Sequence, residues 1–188
     1  PEVLETLRKV AIVQSAESSN RIEGITVERE RIQPLVMKRV NPRDRSEQEV
    51  AGYRDVLNDI HTNYDRMILS TSLIQTWHRA IYRYTGEAGG LWKEKDNAIL
   101  EMGVNGRQYV RFKTVSALVV PEFMENLITL FHAALDEGKA DPLFLTASFV
   151  LDFECIHPFW DGNGRIGRLI TLLLLYQSGF HVGRYISL

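Results

Sequence analysis

An all-α helical bundle carrying one small β-hairpin is the fold that three features of this 188-residue chain predict. Apolar residues recur at three- and four-residue spacing along most of its length, and proline stands near the start of two of the apolar segments. Only one stretch alternates about a turn signal in the manner of paired strands. The length suits one domain with enough chain to bury a core.

In chain order, Val3, Leu4, Leu7, Val10, Ile12, Val13 and Ile22 give an imperfect helical stripe, and Gly24 suits the residue just past a helix end. They predict a first helix of roughly 20 residues. Ser46 and Glu49 have capping-box spacing ahead of Val50, Tyr53, Val56, Leu57 and Ile60, which predicts a second long helix. Ser70 to Tyr84, Pro121 to Leu135 and Pro142 to Ile156 read as further helices, the last two with proline in or near the first turn. Ala98 to Met102 and Tyr109 to Phe112 flank Asn105-Gly106 as a hairpin, which must lean on the helices because it is too small to stand alone. A last helix runs from Gly164 to Gln177. A boundary near Asp65 separates an N-terminal helical arm, residues 1–65, from a compact helical core, residues 66–188.

Composition narrows the function. With 45% hydrophobic residues, 24% charged residues and a net charge of -2, the chain has no electrostatic footprint for nucleic acid. The single cysteine, Cys155, excludes an internal disulfide and a CxxC zinc site and suits a reducing compartment. The apolar run Leu169 to Tyr176 falls far short of a membrane span, and no basic region followed by an apolar one opens the chain. These features point to a cytoplasmic protein with no membrane partner. The chain opens on Pro1 rather than Met, so a fragment of something longer is expected.

Chemistry concentrates in "HPFWDGNGRIGR", residues 157–168. Gly162 and Gly164 permit a tight turn whose backbone N–H groups approach an anion without interference from a Cβ, and the following helix aims its positive end at the same place. Arg165 and Arg168 lie three residues apart on that helix, where cations oppose the dipole unless an anion lies between them. Asp161 offers a hard oxygen to magnesium, and His157 at the end of the preceding helix is the natural general base. Taken singly, each residue has a plainer reading as a cap, a turn or core, and Phe159 keeps the core reading. Their coincidence in one loop favours a polyphosphate cradle. No GxxxxGK[ST], GxGxxG or HExxH is present, and His78-Arg79-Ala80 is not the kinase HRD.

The stretch matches without departure the signature HxFx(D/E)GNGRxxR, and from about Ile68 onward the chain resembles the Fic-domain family. That resemblance implies a Fic-fold helical bundle with a hairpin flap near the active site. It also implies an adenylyltransferase that moves AMP from ATP, with Mg²⁺, to a Ser, Thr or Tyr hydroxyl of a target protein and releases pyrophosphate. On the matching positions, His157 would deprotonate the attacking hydroxyl and Asp161 would hold Mg²⁺. Gly162, Asn163 and Gly164 would cradle the α- and β-phosphates, Arg165 would assist there, and Arg168 would clamp the γ-phosphate.

"SSNRIEG", residues 18–24, places Ser19 and Glu23 four apart on the first helix, with Glu23 in a last turn where the dipole disfavours a carboxylate. Spacing alone reads Glu23 as a solvated residue at a helix end. The family resemblance adds an inhibitory motif, (S/T)xxxE(G/N), which Ser19 to Gly24 fits with no mismatch. It implies that Glu23 pairs with Arg168 and displaces ATP from its productive pose. The same resemblance makes the hairpin a docking flap for a target segment, with Ile99 and Leu100 as contacts, and leaves room for a homo-oligomer. Two other activities fit: removal of AMP from a modified target through Glu23, and a nucleotide-sensing interaction module.

Overall fold

A computed structural model describes residues 2–103 and 105–187. The described residues form, in order, α1 (Glu2–Ile22), α2 (Arg29–Val36), α3 (Arg45–Asn63), α4 (Thr71–Ile81), β1 (Ala98–Met102), β2 (Gln108–Lys113), α5 (Val120–Glu137), α6 (Pro142–Ile156) and α7 (Asn163–Gln177). The all-α bundle with one small antiparallel hairpin is thus the observed architecture. Contacts divide the chain into two units, one of Pro1–Gly90 with Gly164–Leu188 and one of Leu91–Asn163.

In the first unit α1 packs on α2 and α3, and α3 packs on α4. The end of α1 is a Schellman motif: the Ile25 N–H reaches Asn20 O and the Gly24 N–H reaches Arg21 O, each at 3.0 Å. Gly24 takes φ +78°, which the motif requires and a side chain resists. Glu23 therefore caps α1 from just beyond its last turn. The buried face of α1 is Ala11, Ile12, Ala16, Ser19 and Asn20, whereas Val3, Leu4, Leu7, Val10 and Ile22 are exposed. Of the predicted apolar stripe Ile12 is buried and Val13 half-buried, and small and polar residues complete the packed face.

Helix α2, which contains Pro34, has no counterpart among the predicted helices. Arg31 holds it to α3 with two hydrogen bonds to Glu47, at 2.8 and 2.7 Å. Those bonds are the chief reason the Glu47 carboxyl is held down to about 2, against the opposing effect of its burial. The cap of α3 lies two residues earlier than Ser46: Asp44 Oδ1 accepts the Glu47 N–H at 2.9 Å, and Glu47 reaches back to accept the Arg43 N–H at 2.8 Å. The expected core side chains of this helix, Val50, Tyr53, Val56, Leu57 and Ile60, are all buried. Ser70 caps α4, which stops at Ile81 rather than Tyr84. From Leu169 to Tyr176, α7 is buried on nearly every side.

In the second unit β1 and β2 pair antiparallel from Ala98↔Lys113 to Met102↔Gln108, with a bulge between Ile99 and Leu100 that leaves Arg111 without an opposite residue. Helix α5 buries Val120, Met124, Ile128 and Phe131 at helical spacing and packs on α6. The segment Ala117–Glu137 is also long and apolar enough, by length and composition, to cross a membrane. Asp141 caps α6, accepting the Leu143 N–H at 2.8 Å, and Pro142 occupies its first position as predicted.

Candidate active site

The twelve-residue signature crosses from one unit to the other at the first turn of α7, so each part is described in its own unit. In the second unit, α6 ends at Ile156, and His157 caps it in the left-handed conformation with φ 52° and ψ 60°. Its N–H closes the helix on Phe153 O at 2.9 Å. A left-handed non-glycine residue is uncommon and concentrates at functional sites. The imidazole is about a quarter exposed, and its Nδ1 lies 3.8 Å from the Glu154 carboxylate one turn earlier.

Beyond His157 the loop is braced from within. Phe159 is fully buried against Trp92, their ring centroids 4.9 Å apart, as the core reading required. Asn163 closes a ring on the Phe159 peptide, accepting its N–H and donating to its carbonyl, both at 2.9 Å. The Asn163 side chain is thus part of the loop's framework, and its backbone is what stands at the helix start. Asp161 is exposed and accepts the N–H of Gly162 at 2.7 Å. No group of three or more His, Cys, Asp or Glu able to hold a metal occurs among the described residues. A lone exposed carboxylate is the donor set that suits magnesium arriving with phosphates, since Mg²⁺ takes few protein ligands.

In the first unit the two signature arginines separate. Arg165, expected to assist at the phosphates, is fully buried. Its guanidinium donates to Glu49 and, at 2.8 Å, to the Tyr82 hydroxyl, and it lies over the Tyr82 ring at 5.2 Å. This placement makes Arg165 part of the packing between α7 and α3. Arg168 points to the end of α1, where its Nε donates to Ser19 Oγ at 2.7 Å. Its Nη2 donates to Ser19 O at 2.9 Å and to Glu23 Oε1 at 2.6 Å. Ser19 is itself buried and bonded to the Tyr53 phenol, which burial pushes above the ordinary tyrosine value. A Cβ built on Gly164 would collide with Glu23 Oε1, so the carboxylate lies against the first turn of α7 as well as on Arg168. Each arginine that opposes the α7 dipole has thereby acquired a carboxylate.

On the hairpin, Ile99 is half-buried and Leu100 is exposed. Three participants had no marker in the sequence. Glu49 and Tyr82 join Arg165 from 116 and 83 residues away. Lys93 sits in the charged run Lys93 to Asp96, yet it is buried.

The Fic/DOC family model matches residues 68–175, and the chain belongs to that family. It is 35% identical over 66 residues to a Fido domain-containing protein of Dictyostelium discoideum, across 33% of this chain and 46% of that one. A protein of Aquifex aeolicus named a probable protein adenylyltransferase is 32% identical over 69 residues, across 37% of this chain and 21% of its own. The matched region is thus less than half the length of either relative. Among solved structures, a Fic domain containing signaling protein from Bacteroides thetaiotaomicron superposes with a TM-score of 0.80 at 26% identity, covering 95% of this chain and 68% of that one.

Proposed function

We propose that this protein is an adenylyltransferase that inhibits itself, moving AMP from ATP to a Ser, Thr or Tyr hydroxyl of a target protein. His157 would take the hydroxyl proton as the oxygen attacks the α-phosphorus. The bond between the α-phosphorus and its bridging oxygen then breaks, and pyrophosphate leaves. Gly162, Asn163 and Gly164 would receive the α- and β-phosphates through backbone N–H groups, and Arg168 would receive the γ-phosphate. Asp161 would hold Mg²⁺, which when bound offsets the charge of the phosphates. Arg165 acts from behind, fixing the start of α7 through Glu49 and Tyr82. Residues 66–188 supply the chemistry in this reading, and residues 1–65 supply the brake.

One observation carries the inhibitory part: Arg168 donates to Glu23 and twice to Ser19. A guanidinium so occupied has fewer donors for a terminal phosphate, and the Glu23 carboxylate would stand against a second anion at the same place. The test is mass spectrometry of wild-type and Glu23→Gly protein after incubation with Mg²⁺ and ATP, GTP, CTP or UTP. The reading expects an added adenylyl mass on the Glu23→Gly protein with ATP, and little on wild type. Equal absence of labelling in both, with ATP binding intact, would sink it. His157→Ala in the Glu23→Gly background should abolish labelling while nucleotide still binds.

A further inference from the structure

His157 is held from both sides by one residue of the segment ahead of the hairpin. The Lys93 backbone N–H donates to Pro158 O at 2.8 Å, and its ammonium donates to Ile156 O at 3.1 Å. These are the carbonyls of the residues that follow and precede His157. The other two ammonium bonds go to Asn97 Oδ1 and Thr114 Oγ1, each at 2.8 Å. Asn97 is the residue before β1 and Thr114 the residue after β2. Thr114 Oγ1 also reaches Asn97 O at 2.8 Å and Asn97 Oδ1 at 2.6 Å, and Asn97 Nδ2 donates to Phe159 O at 3.2 Å. All three donors of the ammonium are therefore used, and they tie the base of the hairpin to the loop that carries His157.

This arrangement is an expensive way to fill space. Lys93 is only 4% exposed, and among the described residues no carboxylate lies within ion-pair distance of its ammonium. The nearby Asp96 is bonded instead to Ser116 Oγ and the Ala117 N–H. Burial pushes the Lys93 ammonium below the ordinary lysine value, with Asp96 only partly opposing the effect. A buried cation without a direct counter-ion is costly, and an apolar side chain of similar length would avoid that cost. What an apolar side chain lacks is directed donors. The left-handed backbone of His157 persists only where the surroundings over-determine it, and the bonds to its flanking carbonyls provide that constraint.

We propose that Lys93 is a positioning residue that fixes the aim of His157 and registers the hairpin against it, so that a polypeptide segment seated on the hairpin meets the imidazole in a set geometry. The proposal rests on the transfer reading of the site. Its test compares Lys93→Met and Lys93→Arg in the Glu23→Gly protein, with Mg²⁺ and ATP as the probe. Lys93→Met should slow AMP incorporation at saturating ATP by about 10- to 100-fold, the scale of a misplaced reacting group. The Kd for ATP should change by less than about twofold, because the lost interaction orients the base rather than binding nucleotide. Lys93→Arg, which restores directed donors, should recover most of the rate. Full activity in Lys93→Met, or loss of rate and ATP binding in proportion, would overturn the proposal.

A second measurement stands apart from catalysis. In Lys93→Met, amide hydrogen exchange in residues 98–113 and 157–163 should accelerate together while α3 and α4 stay protected. Acceleration in one segment alone, or in neither, would overturn the proposal whether or not the Glu23→Gly protein transfers AMP. Joint acceleration in a protein that transfers nothing would refute the activity and support the positioning role. Should Lys93→Met fail to fold, Thr114→Val removes only the hairpin partner of the ammonium. It should still accelerate exchange at residues 157–163, and exchange confined to the hairpin would overturn the coupling.

Discussion

Arg165 and Arg168 stand one turn apart on α7, each faces a carboxylate from far away in the sequence, and yet they are held in opposite ways. Arg165 and Glu49 have side chains 0% and 5% exposed, with the Tyr82 hydroxyl completing the enclosure. Arg168 and Glu23 are 28% and 30% exposed, and Glu23 sits within the Schellman turn just beyond α1 rather than inside a helix. The first pair is sealed in the packing between α7 and α3. Water reaches the second, and its acidic member can leave by moving one side chain. Two arginines of the same signature thus differ in setting: one is sealed at the helix start, and the other holds its carboxylate where solvent reaches both side chains.

Removing one partner from each pair tests that contrast most directly. Arg165→Met leaves Glu49 buried without its main cation, and the loss should be about 3–5 kcal/mol, the range for breaking a buried pair. Urea unfolding followed by circular dichroism would measure it. Arg168→Met should cost about 1 kcal/mol or less by the same method, because a partly exposed pair is screened by solvent. Equal losses from the two substitutions would erase the distinction between anchor and exchangeable partner.

A pH-dependent background must be separated before the two pairs are compared in acid. His61 on α3 is buried, with its Nδ1 2.9 Å from the Tyr176 hydroxyl of α7. Burial, then Arg8 and Arg184, depress it to about 4 from its ordinary 6.5. Between those values the unfolded chain binds a proton that the folded chain refuses. Stability is therefore full above pH 6.5 and is lost as pH falls toward 4, by about 3 kcal/mol at most for a shift of this size. His61→Gln should flatten that part of a stability-versus-pH curve. An unchanged slope between pH 6.5 and 4 would mean that His61 takes up its proton in the folded state as readily as in the unfolded one.

These contrasts also mark how far the sequence could be read. The stretch 157–168 was legible because its turn, its helix start and its charged residues are local, and local rules govern them. Helix α6 was read to its ends because Pro142 opens it and an apolar run fills it. By contrast, α2 was missed because proline interrupts its eight residues and its stability comes from Arg31 reaching Glu47 on α3. The cap of α3 was displaced because Asp44 and Glu47 have the same spacing as Ser46 and Glu49, and Glu49 is taken by Arg165. Arg165 read as a phosphate ligand and Lys93 drew no reading, since nothing in their neighbourhoods announces a partner up to 116 residues away. Burial of a charge is decided by tertiary partners, and periodicity is blind to those.

Glu23→Gly is the next and smaller perturbation. It removes a pair whose side chains are nearly a third exposed, so the expected stability loss is about 1 kcal/mol or less after allowance for screening. A thermal melt should shift by only a few degrees, roughly 2–4 °C for a chain of this size. The proposed gain in AMP transfer therefore cannot be ascribed to a loosened fold if that small shift is found. A loss as large as that of Arg165→Met would instead make Glu23 an anchor, and the brake would lose its physical basis.

Gly164→Ala has the smallest expected effect and separates the two partners most finely. Alanine is better than glycine inside a helix by about 0.5–1 kcal/mol, so by propensity alone the change should stabilise α7. The added Cβ, however, would collide with Glu23 Oε1 and stand 3.2 Å from Arg168 Nη1. Both atoms end flexible side chains, so the carboxylate moves away and α7 stays in place. In wild type the gain should be cancelled or slightly reversed, whereas in the Glu23→Gly background, with the carboxylate gone, it should appear in full. Unfolding the four proteins of this double-mutant cycle would read a coupling of about 0.5 kcal/mol or more between positions 23 and 164. If Gly164→Ala changes stability equally in both backgrounds, the Glu23 carboxylate does not lie against the start of α7, and the proposed brake loses that contact.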